Sequence, residues 1–250
     1  MPPKPVTDPL RSRPKPVRLT GVSDPTGGRR EHRKAQTRTT VRETAHRLFA
    51  ERGFDAVTIA EVAAAAEVAV QTVFNHFETK DALFFAGRRA WMENTVAAVT
   101  QRAPGTDPVG ALRSFLEEGL IDVLDQESRP ESRGELELLA GSPGLQARER
   151  TMVELTSTRV GDELGAAIAA GEWAAAPDAD PVTARILGRL IADLLIIAGR
   201  VLVLENRTLM LGPERNRPQQ GSTAATATAT LAAIEQCARA LAAQLLDQPG

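Results

Sequence analysis

The chain has 250 residues, long enough to bury a core without disulfide or metal staples and, on size alone, to form two domains. Apolar residues make up 42% and charged residues 25%, which excludes wholesale disorder. One cysteine, Cys237, excludes an internal disulfide, and the absence of tyrosine excludes any tyrosine-based chemistry.

The net charge of −2 conceals a split. Residues 1–90 carry 16 Lys/Arg against 10 Asp/Glu, whereas residues 91–250 carry 14 against 22. The excess is steepest in residues 1–47, with 12 basic and 4 acidic side chains. A basic front on an acidic body points to a polyanionic partner for the front. Single-cysteine usage points to a reducing, cytoplasmic setting, and no apolar run follows the basic N-terminus as a secretion signal would require. The most apolar stretch, residues 187–204, contains Arg189, Asp193 and Arg200, so it reads as a buried helix and not a membrane span. The three histidines, His32, His46 and His76, stand at no metal-ligand spacing, and no cofactor is expected. Asn206-Arg207-Thr208 matches a glycosylation sequon and is treated as chance.

Residues 1–30 are rich in Pro, Gly, Ser, Thr and Arg without periodicity, and residues 1–34 are expected to form a disordered basic arm. Val41, Ala45, Leu48 and Phe49 then mark one apolar helix face, predicting a first helix over 33–52 that Gly53 terminates. Thr58 with Glu61 three residues on predicts a capped second helix whose inward residues are Ile59, Val62, Ala63 and Ala66. A third starts near Val70, with Val70, Val73, Phe74 and Phe77 on its apolar side. Only a few residues join the two, which predicts a helix-turn-helix. Thr79 is positioned to cap a long fourth helix running from Lys80 to Pro104. Further helices are expected over 108–125, 131–139, 145–170, 181–205 and 223–246, with loops at 172–180 and 206–221. No segment alternates as a strand, so the fold class is all α.

The third helix carries Gln71, Thr72, Asn75 and His76 outward or at its edge and no acidic residue. Gln and Asn pair bidentately with adenine in the major groove, and Thr meets the thymine methyl. Lys80 at the next helix start supplies a charge and amides for phosphate, and Arg38, Arg42 and the basic arm can track the backbone.

Residues 35–95 resemble the DNA-binding domain of TetR-type transcriptional regulators. The resemblance rests on Thr37-Arg38, Ala45-His46-Arg47-Leu48-Phe49, Gly53-Phe54, Thr58-Ile59, Val62-Ala63, the run Val68 to Phe77, Thr79-Lys80 and Leu83-Phe84. It covers about a quarter of the chain; the rest shares only the plan of an all-helical C-terminal domain. The resemblance implies a DNA-contacting set of Arg38, Thr58, Val70, Gln71, Thr72, Phe74, Asn75, His76 and Lys80. It also implies a homodimer paired through its last two helices and a small-molecule pocket in residues 96–250. Three positions depart from the family pattern. Glu67 stands where glycine is usual, Ala69 where Ser or Thr caps, and Phe74 where tyrosine gives a hydroxyl contact.

Residue patterning supplies candidates for the remainder. Ile186, Leu190, Leu194 and Ile197, with the heptad-like row Leu231, Ile234, Ala238, Leu241 and Leu245, form the expected subunit interface. Trp91, Phe115, Leu116 and Leu120 are the pocket candidates, with Phe84, Phe85 and Met92 beside them. The expected pocket is aliphatic, with no charged anchor, and suits an apolar effector. The reading is a ligand-responsive repressor on a palindromic double-stranded operator. Its alternatives are a ligand-independent or activating DNA-binding protein and, in another class, a small-molecule enzyme with a vestigial helix-turn-helix. No nucleophile–base pair or Gly-rich phosphate loop supports the last.

Overall fold

The structure is a computed structural model that describes residues 25–213 and 222–246. Ten α-helices occur in the described residues. They are α1 (Pro25–Arg52), α2 (Ile59–Ala65), α3 (Val70–His76), α4 (Lys80–Phe84), α5 (Ala86–Thr100), α6 (Pro108–Glu127), α7 (Arg133–Gly141), α8 (Pro143–Ala169), α9 (Pro181–Leu211) and α10 (Ser222–Leu246). A 3-10 turn at Pro130–Ser132 leads into α7. No strand occurs among them, and the fold is all α.

The chain divides into two compact units, residues 1–37 and 38–250. In the first, α1 begins at Pro25, eight residues before the expected start at 33. The early turns have no apolar stripe to announce them, and residues 30–36 are exposed. The rest of the expected basic arm, residues 1–24, lies outside the described residues.

In the second unit three helix starts follow one rule. Asp107, Ser142 and Asp180 each cap a helix whose first residue is proline. Asp107 Oδ1 accepts from Val109 N and Gly110 N at 2.9 and 3.0 Å. Proline costs nothing at that position because its missing N–H would have no intrahelical partner. The predicted long fourth helix is two helices. Phe85, at φ −90° and ψ 20°, caps α4 and begins α5, and its ring stacks edge-on against Phe84 at 4.9 Å. At the other end, α9 runs six residues beyond the expected 205, to Leu211; there Arg133 Nη1 donates to the Met210 carbonyl at 3.1 Å.

Two buried clusters organise this unit. One joins Val41, Ala45 and Phe49 of α1 to Val62, Val73, Phe77 and Leu83, and also takes in Leu139 and Leu145 from α7 and α8. The other fills the space between α5, α6, α8, α9 and α10, around Leu112, Leu164, Leu187, Leu195 and Trp173. Helices α8 and α9 cross antiparallel at glycines. A Cβ added to Gly188 would stand 2.6 Å from the Gly161 carbonyl oxygen. One added at Gly165 would stand 3.0 Å from Arg185 Cα. Flanking the glycines, Ser157 hydrogen-bonds Asp193, and Arg189 Nη2 donates to Thr158 Oγ1 at 2.8 Å.

Helix α10 splits the expected interface row. Leu231 (0% exposed) and Ala238 are buried, and Ile234 packs on the same core; only Leu241 and Leu245 of that row are exposed. The helix is pinned inward from α6. Arg113 Nε lies 2.7 Å from Glu235, and Arg239 Nη2 lies 2.5 Å from Asp107. A heptad pattern cannot distinguish a helix packing on its own core from one packing on a partner. On α9 the expected row is exposed throughout: Ile186, Leu190, Leu194 and Ile197 (51%), extended by Val182, Val201 and Leu204.

Candidate DNA-reading surface and effector cavity

The helix-turn-helix is built from short-range bonds. Thr58 Oγ1 accepts from Glu61 N at 3.2 Å, while Glu61 Oε2 accepts from Thr58 N at 2.7 Å, a closed capping box. Arg52 Nη2 completes the group at 2.6 Å from Glu61 Oε1. The backbone bond from Thr58, then the bonds from Arg52 and the Thr58 hydroxyl, lower the Glu61 carboxyl to about 2.

Helix α2 ends with Glu67 N donating to Ala64 O at 3.2 Å and Val68 N to Ala63 O at 3.0 Å. This bonding pattern needs a left-handed residue, and Glu67 supplies it at φ 55°. A side chain there is strained where glycine would not be. Ala69 then starts α3 without a side-chain cap.

On α3, Val73 is buried, whereas Val70 (41% exposed) and Phe74 (44%) are not. This corrects the expectation that Val70 and Phe74 face inward: seven residues provide too few turns for four apolar side chains to share one core. Val70, Gln71, Phe74 and Asn75 are exposed together, with Thr72 and His76 at the edges. Gln71 Nε2 donates to Asn75 Oδ1 at 3.1 Å, holding the two amides in one row. Arg38 closes the far end. Its Nη1 donates to the His76 carbonyl at 2.9 Å, and its guanidinium lies 4.6 Å over the Phe77 ring. Lys80 is engaged internally: its Nζ donates to Asp55 O at 3.3 Å and sits 4.4 Å from the Phe54 ring centroid. Thr79 caps α4 as expected, accepting from Ala82 N at 3.0 Å.

A cavity of about 600 Å³ lies in the second unit, walled by α1 and α4–α9. Trp91, Leu116 and Leu120 line it, as do Phe84 and Met92. Phe115 does not; it packs against the core. The expected absence of charged anchors is overturned. Arg207, 9% exposed, donates from Nε and Nη2 to Glu127 Oε1 at 2.9 and 2.7 Å, and from Nη1 to both oxygens of Glu149 at 3.0 Å. Arg88 also bonds Glu149. Burial, then the neighbouring charge of Arg207, pull Arg88 down to about 10, so it stays protonated at neutral pH.

Glu135 faces the same space from α7, 3.6 Å from His46 Nδ1 on α1. Burial opposes its ionisation, but the His46 hydrogen bond and the charges of His46, Arg88 and Arg207 outweigh that and hold the carboxyl below its usual range. His46 Nε2 lies 3.1 Å from the Phe84 carbonyl oxygen, and the two rings stack at 5.5 Å. The cavity wall is thereby tied to α1 and α4, which share one buried core with the helix-turn-helix of α2 and α3.

Residues 41–86 match the family model described as bacterial regulatory proteins, tetR family. The helix-turn-helix domain belongs to this family. A comparison with curated proteins gave no match. Solved structures similar to the chain include NalD, the secondary repressor of the MexAB-OprM multidrug efflux pump in Pseudomonas aeruginosa (21% identity, 82% of this chain and 96% of that one, TM-score 0.47). GusR of Salmonella enterica (20%, 81% and 96%, 0.45) and Thermus thermophilus FadR in complex with lauroyl-CoA (19%, 85% and 99%, 0.43) are also similar. The assignment rests on residues 41–86 and not on these scores.

Within the TetR-type domain, the three departures have structural consequences. Glu67 adopts the left-handed turn glycine would take, Ala69 leaves α3 uncapped, and Phe74 presents a bare ring to solvent. Sequence reasoning missed Arg88, Glu127, Glu135, Glu149, Arg200 and Arg207 of the cavity. The available signal was that several of these charges fall within otherwise apolar helical stretches. Among the described residues no helix is long and apolar enough to cross a membrane, and no three His, Cys, Asp or Glu side chains gather to hold a metal ion.

Proposed function

We propose that the protein is a one-component transcriptional regulator, a cytoplasmic repressor that binds a palindromic operator as a homodimer and releases it when a small molecule fills the cavity. The observation that carries this is the exposed face of α3. Val70, Gln71, Phe74 and Asn75 form an acid-free surface with its amides in one row, on a helix the TetR-type domain holds as the second of its helix-turn-helix. We assign residues 35–95 to DNA reading, with Arg38, Thr58, Thr72, His76 and Lys80 at its borders, residues 96–250 to effector binding and dimerisation, and residues 1–34 to a basic arm. The exposed row of α9, with Leu241 and Leu245 of α10, is the proposed partner face; Leu231, Ile234 and Ala238 belong to the protomer's own core.

The switch follows from the cavity wall. An effector touching Phe84 or the His46–Glu135 pair acts directly on α1 and α4, and it favours release to the extent that it binds the DNA-incompetent arrangement better. Coupling of about 1–3 kcal/mol changes operator affinity roughly 5–150-fold.

The test is a salt-dependent titration of the intergenic DNA beside the protein's own gene, with wild type and Gln71→Ala/Asn75→Ala. Selective binding by wild type, and only salt-sensitive, sequence-blind binding by the double variant, is the expected result. Equal binding of all duplexes by both proteins removes α3 as the reader.

A further inference from the structure

Helix α9 turns Ile196, Arg200, Val203 and Arg207 toward the cavity, spaced four, three and four residues apart along one face, with Gly199 beside them. Its two arginines differ. Arg207 has its charge met by Glu127 and Glu149. Arg200, two turns earlier, has no hydrogen-bond or ion-pair partner among the described residues, and its Nε is buried. A guanidinium cannot shed its charge, and one that is half-buried, with its Nε closed off from water and no counter-charge, gains when an anion arrives.

The carboxylates around the cavity are differently placed. Glu149 is shared by Arg88 and Arg207, and Glu135 faces His46. Glu127 keeps one buried oxygen, Oε2, without a partner, but its other oxygen takes two N–H groups of Arg207. Its charge is met, and what remains is an acceptor suited to a neutral donor. Much of the remaining wall is apolar, including Trp91, Leu116, Leu120, Met152, Val153 and Val203. A cavity of about 600 Å³ is of ordinary size for an organic ligand.

We propose that the cavity takes an amphipathic organic anion, its carboxylate seated on Arg200 and its carbon body against Leu116, Leu120 and Val203. This deepens the effector-responsive reading and rests on it. A cationic head is disfavoured because Glu127, Glu135 and Glu149 each already have a basic partner and the fourth lining carboxylate, Glu43, is exposed to solvent, whereas the half-buried Arg200 has no acidic partner. The carboxylate gains charge-assisted hydrogen bonds that an alcohol of the same chain cannot match.

The test is calorimetric titration of the full-length protein, without DNA, using three probes with one eight-carbon chain: octanoate, 1-octanol and octyltrimethylammonium. Wild type is expected to bind octanoate at least about tenfold more tightly than octanol, with the ammonium weakest. In Arg200→Met, octanoate falls to the level of octanol while octanol is unchanged; Arg200→Lys retains a partial preference. Equal affinities for octanoate and octanol, tightest binding of the ammonium, an unchanged preference in Arg200→Met, or no binding of any probe would each overturn the proposal. Should Arg200→Met not fold, the wild-type ranking and the lysine variant decide. Operator release is read separately by fluorescence anisotropy. Octanoate that binds without releasing DNA leaves the ligand class standing and removes the switch.

Discussion

The helix-turn-helix and the cavity satisfy their polar groups in opposite ways. In the first, the bonds that cap and align the helices are local: Thr58 with Glu61, Gln71 with Asn75, Thr79 with Ala82, each within four residues, while Arg38 and Lys80 reach farther, to the His76 and Asp55 carbonyls. In the second, Arg207 reaches Glu127 across 80 residues of chain and Glu149 across 58, and Arg88 reaches Glu149 across 61. Local bonds hold a short reading helix in shape wherever its domain moves. Long-range bonds hold together helices that have no other covalent reason to be neighbours. The first arrangement tolerates substitution one bond at a time; the second makes each member depend on the rest.

The largest effect that would break this comparison is at Arg207. Arg207→Leu leaves Glu127 buried without its counter-charge and is expected to cost about 3–5 kcal/mol, read from the urea midpoint. Adding Glu127→Gln should recover a substantial part of that loss, because the neutral amide no longer needs the guanidinium. A loss under about 1 kcal/mol would mean that the cavity charges are as independent as surface pairs. Next is Gly188→Ala, also a long-range site. Its new methyl would press on Gly161 and Gly165 backbone, and prising α8 from α9 is expected to cost about 1–3 kcal/mol in thermal or urea unfolding. Unchanged stability would show that the two helices are not locked at this crossing.

These two regions also differ in how legible they were. The caps at Thr58 and Thr79, the turn at Glu67 and the missing cap at Ala69 were readable because cause and effect lie within one turn of helix. The burial of Leu231 and Ala238 was not: a heptad row says that a helix has an apolar side, not which neighbour covers it. Nor was the role of Arg207 or Arg200, since an arginine in an apolar helix reads the same whether its partner is a glutamate 80 residues away or absent. The break at Phe85 escaped because the apolar pattern of α4 continues into α5 with no proline at the junction, and the nearby glycine, Gly87, lies inside α5 and does not end a helix.

Smaller effects sharpen the local side. Glu67→Gly relieves a left-handed side chain but loosens the unfolded chain, so a net gain of about 0.5–1 kcal/mol is expected in urea unfolding. Ala69→Ser supplies the missing cap of α3 and is expected to add about 1 kcal/mol or less. Measured together, the two gains should add within about 0.5 kcal/mol if each bond acts for itself. A strong coupling between them would make the turn a cooperative unit and narrow the contrast with the cavity.

The smallest effect is one of pH. Glu61 is held at about 2 in the folded protein against 4.5 for a free carboxyl, so it binds its proton less readily folded than unfolded. Its contribution is therefore fully present above pH 4.5 and is lost as pH falls from 4.5 through about 2. Glu61→Gln keeps a side chain able to reach Thr58 N but does not titrate. Over this window the wild type should lose stability more steeply than the variant, and above pH 5 the two curves should run parallel. Glu61 is half-exposed, so added salt should shrink the difference by screening Arg52 while leaving the hydrogen bonds to Thr58. Identical slopes below pH 4.5 would show that the capping box holds its geometry without the charge. The short-range bonds of the helix-turn-helix would then be matters of shape alone, and the electrostatic work of the molecule would lie in the cavity.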